Sequence, residues 1–352
     1  MTPDASREST SLRTAVGRTG RHAWLARLAL LCLAGVVTFV VFRLIGRIDW
    51  AAVGEALSHL AWWQPVVLLT VLLVRQVLNA LPLALYIPGV SAFRATVNDL
   101  GAIVMGTVAP PPSDLALRMA MFSSWGVPTA KGLAGTLMNT LTFYIVRFGA
   151  PLTGFALLAV AGRPPGLRWV EVLSIAVAAS ILVGVLLVVR SEGLARSTGS
   201  TAARIAGRVR PSLDTQSWAD ACVDFRLNID SRFRTGFPRS LVALCGMLVA
   251  DLALLVLALR FVGLTSADVG ILDIAIAYLF AYPFTLLPFA GIGVVDALIV
   301  AGLVDVGGTL IEAEAVAGLL VWRIFTIGGP ILLGLAALVG WRRSVAASAS
   351  GG

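Results

Sequence analysis

The sequence predicts an all-α, polytopic integral membrane helical bundle with about six full spans, two re-entrant helical hairpins and an inverted repeat. Three observations carry this. First, 58% of the 352 residues are hydrophobic and only 13% are charged, and mean hydropathy is +0.90, whereas soluble domains carry about 25% charged residues. Second, apolar stretches recur at the length, about 20 residues, that crosses a roughly 30 Å hydrocarbon core as helix. Third, two helix-breaking segments that carry carboxylates lie inside equally apolar sequence.

In chain order, residues 1–24, rich in Ser, Thr, Arg and Gly, are expected to form a disordered cytoplasmic N-terminus. The basic Arg21–Arg27 region and the apolar run Leu28–Phe42 imitate a signal peptide. The following Val41-Phe42-Arg43-Leu44 is too bulky and charged for a small-residue cleavage site, so the reading is an uncleaved signal-anchor. A single membrane domain follows over 25–341. Its spans are expected near 25–45, 62–84, 133–161, 170–190, 239–262 and 313–341, with kinks at Pro151 and Pro330 because proline removes a helix donor. Segments 96–125 and 271–305 are the hairpins. The first half is 25–190 and the second 239–341, and residues 342–352 form a short cytoplasmic tail.

The loop 191–238 between the halves holds one amphipathic candidate. Trp218, Cys222, Phe225, Ile229 and Phe233 recur at helical spacing, while Asp220, Asp224, Asn228, Asp230 and Arg232 take other faces. Such a helix would lie on the inner leaflet or pack as a connector on the membrane domain.

Arginine placement orients the chain. The net charge is +8, and Lys131 is the only lysine. With six crossings and the N-terminus inside, 17 arginines fall on the cytoplasmic side and 5 opposite, as expected when cytoplasmic loops carry the positive excess. The N- and C-termini are then cytoplasmic, in the inner (plasma) membrane. Anionic lipid headgroups, not nucleic acid, are the natural partners of these arginines. On this topology the first hairpin enters from the cytoplasm and the second from outside. The ends of the halves also match, Pro151–Gly162 against Pro330–Gly340, which suggests the inverted repeat.

The hairpin breaks are Pro110, Pro111 and Pro112, followed by Ser113-Asp114 and Arg118, and Pro288, Gly291 and Gly293, followed by Asp296. Non-helical backbone at membrane depth survives only where protein or a wet cavity satisfies its N–H and C=O groups. Broken segments at corresponding places in two halves point to a transport site.

Ionisable residues at that depth cost several kcal/mol unless paired or wetted. Asp114 and Arg118 are four apart, and on one helix they could pair; this would be either an anionic-headgroup site with Arg118 as a forked donor, or a structural ion pair at the hairpin tip. Asp296 could cap the helix it opens, or handle a proton or headgroup in a cavity. Arg323 lies mid-span and needs an internal partner, for which Asp296 is the obvious candidate. Arg147 holds a similar place in the repeat-related span. Arg75, near Gln76 and Asn79, and the acid Asp251 are comparably deep, either lining a cavity or pairing structurally.

Other chemistries lack their residues. His22 and His59 are isolated, so neither a metal site nor a His-based triad can be assembled, and no Walker, G-x-S-x-G, C-x-x-C or Asp-rich prenyltransferase motif occurs. Cys32, Cys222 and Cys245 are scattered and imply no disulfide framework. No cofactor is expected, nor is an enzymatic activity.

Pro283-Phe-Thr-Leu-Leu-Pro288-Phe-Ala-Gly291-Ile-Gly293-Val-Val-Asp296, then Ala313-Glu-Ala-Val-Ala317, Arg323 and Pro330, resembles the second-half pattern of the lysylphosphatidylglycerol synthase transmembrane family. That pattern is P-x-x-P-G-G-I-G-x-x-E, an alanine-rich helix, an intramembrane arginine and a later proline. Asp296 stands for the usual Glu. The family's first-half pattern, N-x-x-x-P-x-R-x-G-E, is replaced here by Ala109–Asp114, with Asp114 and Arg118 as candidate stand-ins. The resemblance spans roughly 25–342 and implies lipid translocation between leaflets. Larger members also carry a cytosolic aminoacyl-transfer domain; none follows Gly340, so lipid aminoacylation by this chain is not expected.

The leading expectation is therefore a flippase-like protein. Its hairpin tips would meet near the midplane around Arg75, Asp114, Arg118, Arg147, Asp251, Asp296 and Arg323, and pass the headgroup of a membrane phospholipid or polyprenyl-linked lipid. The alternative is a non-transporting membrane partner or scaffold of a cell-envelope lipid or glycan biosynthetic enzyme. A third reading, an intramembrane enzyme, lacks a catalytic set.

Overall fold

A computed structural model describes residues 60–109, 112–160 and 215–350, with Ala51, Glu55, Ser58 and Ala176 alone besides. The expected spans 25–45 and 170–190 and the breakers Pro110 and Pro111 lie outside the described residues, as do the expected N-terminal segment and signal-anchor. Every regular element among the described residues is helical. Helix α1 (Gln64–Tyr86) starts on a proline in its first turn and ends at Ile87, whose backbone is extended as the residue before Pro88 should be. Helix α2 (Ala92–Val108), capped by Ser91, and α3 (Ser113–Ser124) form the first hairpin. Ala109 between them is extended (φ −130°, ψ 150°), again because a proline follows. Helix α4 (Thr129–Val160) follows the Gly126 turn, whose φ is +75°. Helix α5 (Thr215–Phe261) precedes the second hairpin. That hairpin runs through α6 (Ile271–Ala281), two 3-10 turns (Tyr282–Leu286 and Pro288–Gly291) and α7 (Val294–Gly307). A short turn leads to α8 (Glu312–Arg323), a π turn (Ile324–Gly328) and α9 (Gly329–Ser350).

Four helical stretches are long and apolar enough to cross a membrane: Gln64–Tyr86, Thr129–Val160, Thr235–Phe261 and Thr309–Ala347. They coincide with four of the six expected spans. Pro151, where a kink was expected, lies inside the continuous helix α4. At Pro330 the helix widens into the π turn, in which the Gly329 N–H reaches the Ile324 carbonyl; the i→i+5 pattern makes room for a residue that brings a bulky ring and no donor. Finally, the amphipathic loop segment is not set apart from its span. Helix α5 is continuous from Thr215 across Pro238. Gly236 admits Tyr86: a Cβ there would stand 3.2 Å from the Tyr86 ring.

The core is built where α1 packs along α5, through buried Leu68, Leu72, Leu254, Leu255 and Leu259, and it extends to Tyr278, Ile299 and Trp322. A second cluster joins the first hairpin to α1 and α4 through Leu83, Ile87, Phe122 and Met138. Packing between the halves is reciprocal. Helix α4, after the first hairpin, lies on α6 of the second, and α9, after the second, lies on α2 of the first. Both contacts use a glycine. A Cβ on Gly154 would meet Leu279 and Phe280, and one on Gly334 would stand 2.5 Å from the Leu100 carbonyl oxygen. Small residues permit such backbone approach, which matters where apolar surface gains little by leaving lipid.

Candidate functional site

Helix α1 turns a polar stripe inward. Arg75 and Asn79 share a face, Gln76 is buried, and Leu73, Val74 and Val77 point outward. The Arg75 Nε donates to Asp251 Oδ1 at 2.9 Å, and the Tyr278 hydroxyl donates to the other carboxylate oxygen at 2.8 Å. Arg75 Nη1 also donates to the Gln76 side-chain oxygen. Asp251, free in sequence to pair with any deep arginine, takes Arg75.

One turn along α1, Asn79 donates to Asp99 Oδ2 at 2.7 Å. The opposite oxygen of Asp99 accepts from Arg118 Nη2 at 2.6 Å, while Arg118 Nη1 donates to Asn98 at 3.1 Å. This corrects the expected Asp114–Arg118 pair. Arg118 reaches across the hairpin because the Asp99 carboxylate, almost sealed from solvent, needs a cation, whereas Asp114 is half-buried in the first turn of α3, where the helix dipole favours an anion. Asp114 forms no ion pair among the described residues.

The second hairpin holds the pair expected for it. Arg323 Nε donates to Asp296 Oδ1 at 2.7 Å and Nη1 to the Ala290 carbonyl at 3.2 Å. Asp296 Oδ2 accepts the Gly293 N–H at 2.7 Å, so this carboxylate is a cap and a counter-ion together. The break itself is left-handed at Ala290, Gly291 and Gly293, with φ of +55°, +68° and +84°. Only Ala290 bears a Cβ there, a strained conformation of the kind concentrated at functional sites. The side chain of Pro288 lies outside the described residues.

Arg147 differs from the other three deep arginines. Its guanidinium carbon lies 4.5 Å from the Phe143 ring centroid and 6.0 Å from that of Tyr282. Its Nε is buried without a hydrogen-bond partner, and it forms no ion pair among the described residues.

Aromatic rings connect these groups. Tyr278 packs against Tyr282 at 5.4 Å and edge-on against Trp322 at 6.2 Å, and Trp322 lies beneath the Arg323 guanidinium at 4.6 Å. Arg75, Asp251 and Arg147 thus belong to one polar and aromatic system spanning both halves, joined to Asp296 and Arg323 through Trp322, with the Asn79–Asp99–Arg118 group one turn along α1. Asp114 stands apart. Sequence reasoning missed Asn98, Asp99, Tyr278 and Tyr282. Asp99 carried a usable signal, a carboxylate in the middle of an apolar hairpin arm. The tyrosines recur four apart ahead of Pro283 but read as part of an apolar run.

The sequence model of one family, described as Lysylphosphatidylglycerol synthase TM region, matches residues 24–334. No individual curated protein matches the sequence.

Proposed function

Because the chain belongs to the lysylphosphatidylglycerol synthase transmembrane-region family, we propose that it is a flippase-like membrane protein, moving or binding an anionic lipid or lipid-linked headgroup between leaflets. The observation that carries this reading is the set of deep arginines, Arg75, Arg118, Arg147 and Arg323, held on both halves beside two helix breaks. A headgroup needs such donors along its way, while the tails stay in lipid. In this reading the hairpins are re-entrant from opposite faces, the halves form an inverted repeat, and the protein lies in the inner membrane with both termini cytoplasmic. The reciprocal packing of α4 on α6 and α9 on α2 supports the repeat.

The test is leaflet exchange of a fluorescent phospholipid in liposomes carrying the full chain. An Arg118→Ala/Arg323→Ala variant should lose exchange. Since a stranded buried carboxylate is itself destabilising, the charge-neutral variant Arg118→Gln/Asp99→Asn provides a second arm. Exchange equal to wild type in both would remove the assigned passage.

One observation favours a second reading. Arg75, Arg118 and Arg323 are already neutralised by carboxylates, as purely structural pairs would be. A non-transporting partner or scaffold of a cell-envelope lipid or glycan biosynthetic enzyme fits that, and would show no exchange in liposomes yet co-purify with the enzyme.

A further inference from the structure

Charge pairing singles out Arg147. Arg75, Arg118 and Arg323 each have a carboxylate within 2.9 Å, whereas Arg147 faces rings. Among the described residues no carboxylate pairs with it. Cation–π contact offsets about 0.5–2 kcal/mol, less than the several kcal/mol that an unpaired cation costs in an apolar surround.

The geometry also leaves donors available. With Phe143 against the guanidinium, the edge N–H groups remain for a planar, two-point acceptor, and the Nε has no hydrogen-bond partner. Among the described residues the neighbouring Tyr282 hydroxyl donates only to the Met247 sulfur, at 3.9 Å, a weak acceptor. We propose that Arg147 and the Tyr282 hydroxyl form a phosphate-oxyanion site, and that one uncompensated cation suits the single charge of a phosphodiester better than the multiple charge of a pyrophosphate. The proposal deepens the lipid-handling reading and rests on it for the source of the anion: a glycerophospholipid headgroup, with free phosphate as the other source of the same chemistry.

The experiment titrates detergent-purified full-length protein by native mass spectrometry with phosphatidylglycerol, diacylglycerol, a polyprenyl pyrophosphate and inorganic phosphate, alongside thermal melting. Phosphatidylglycerol should bind wild type more tightly than the pyrophosphate, and diacylglycerol should not bind. Arg147→Gln should weaken phosphatidylglycerol binding about tenfold or more, the loss of a charged hydrogen bond, and Tyr282→Phe should weaken it less. Arg147→Lys should retain part of the affinity. Melting of Arg147→Gln should equal or exceed wild type, since a stranded charge is removed. Phosphatidylglycerol binding unchanged in both Arg147→Gln and Tyr282→Phe overturns the site, and a preference for the pyrophosphate overturns the charge assignment. Arg147-dependent binding of inorganic phosphate, with no preference for phosphatidylglycerol, upholds the oxyanion site and overturns its lipid source. Arg147-dependent lipid binding in a protein that exchanges no lipid between leaflets upholds the site while removing the transport reading.

Discussion

Both oxygens of Asp251 are engaged, one by Arg75 and one by Tyr278, so neither member of the ion pair is replaceable alone. Asp251→Asn should lower stability by about 3–5 kcal/mol, because it leaves a buried guanidinium uncompensated. Arg75→Gln/Asp251→Asn should cost less than either single change, and melting in nanodiscs measures the difference; additive losses would mean the two groups are not coupled. Asp268 makes a pH prediction outside the spans. It accepts hydrogen bonds from the Thr265 hydroxyl at 2.6 Å and the Thr265 N–H at 2.8 Å, and these hold its carboxyl below the usual range. A depressed folded value adds stability above the unfolded value of about 3.9, lost as pH falls through the lower folded value. Asp268→Asn should therefore remove part of the acid-branch slope of a melting-versus-pH curve below about pH 4 and leave its neutral branch shape unchanged. Which charges pair was only partly legible. Asp296 and Arg323 were foreseeable, as a deep cation and an acid beside a break. Arg118 was not, because helical i,i+4 spacing describes partners on one helix, and its partner Asp99 lies on the other arm of the hairpin.

Helix existence was legible from apolar length alone, and α1, α4, the membrane part of α5 and the α8–α9 stretch follow it closely. Continuity was not. Pro151 reads as a kink point by a rule suited to water, where a freed carbonyl finds another partner. In hydrocarbon the alternative to helix is an unsatisfied backbone, so helices tolerate proline that neighbouring helices surround. The π turn before Pro330 follows the same logic, with the ladder loosened and not abandoned. At this scale Gly334 is the most constrained contact between α9 and α2, since any Cβ would stand 2.5 Å from the Leu100 carbonyl oxygen and 2.5 Å from a Val104 methyl. A backbone carbonyl cannot rotate away as a side chain can. Gly334→Leu should drive α9 off α2, with a loss of about 1–3 kcal/mol from overpacking, read as a lower melting temperature. Gly340, which has no heavy atom within 4 Å of an added Cβ, supplies the control: Gly340→Ala should melt as wild type does.

At the scale of the whole molecule, the arginine count and the reciprocal packing bear on the same question. Helix α4 crosses to α6 while α9 crosses to α2, each by way of a glycine three or four residues after a proline. Two units related by a twofold axis in the membrane plane would exchange their final helices in this manner. Loop charge leads to the expected inversion because the two expected hairpins are separated by an odd number of spans, whereas the exchange of final helices has no sequence signal, since apolar helices carry little information about partners. The arrangement makes a topological prediction. Pro88, exposed in the turn ahead of the first hairpin, should face the cytoplasm, and Ser266, exposed in the loop ahead of the second, should face outward. With Cys32, Cys222 and Cys245 replaced by serine, Ser266→Cys should react with a membrane-impermeant maleimide on intact cells, and Pro88→Cys only after permeabilisation. Labelling of both from one side would make the hairpins parallel, and a passage approached from opposite faces would then have no structural basis.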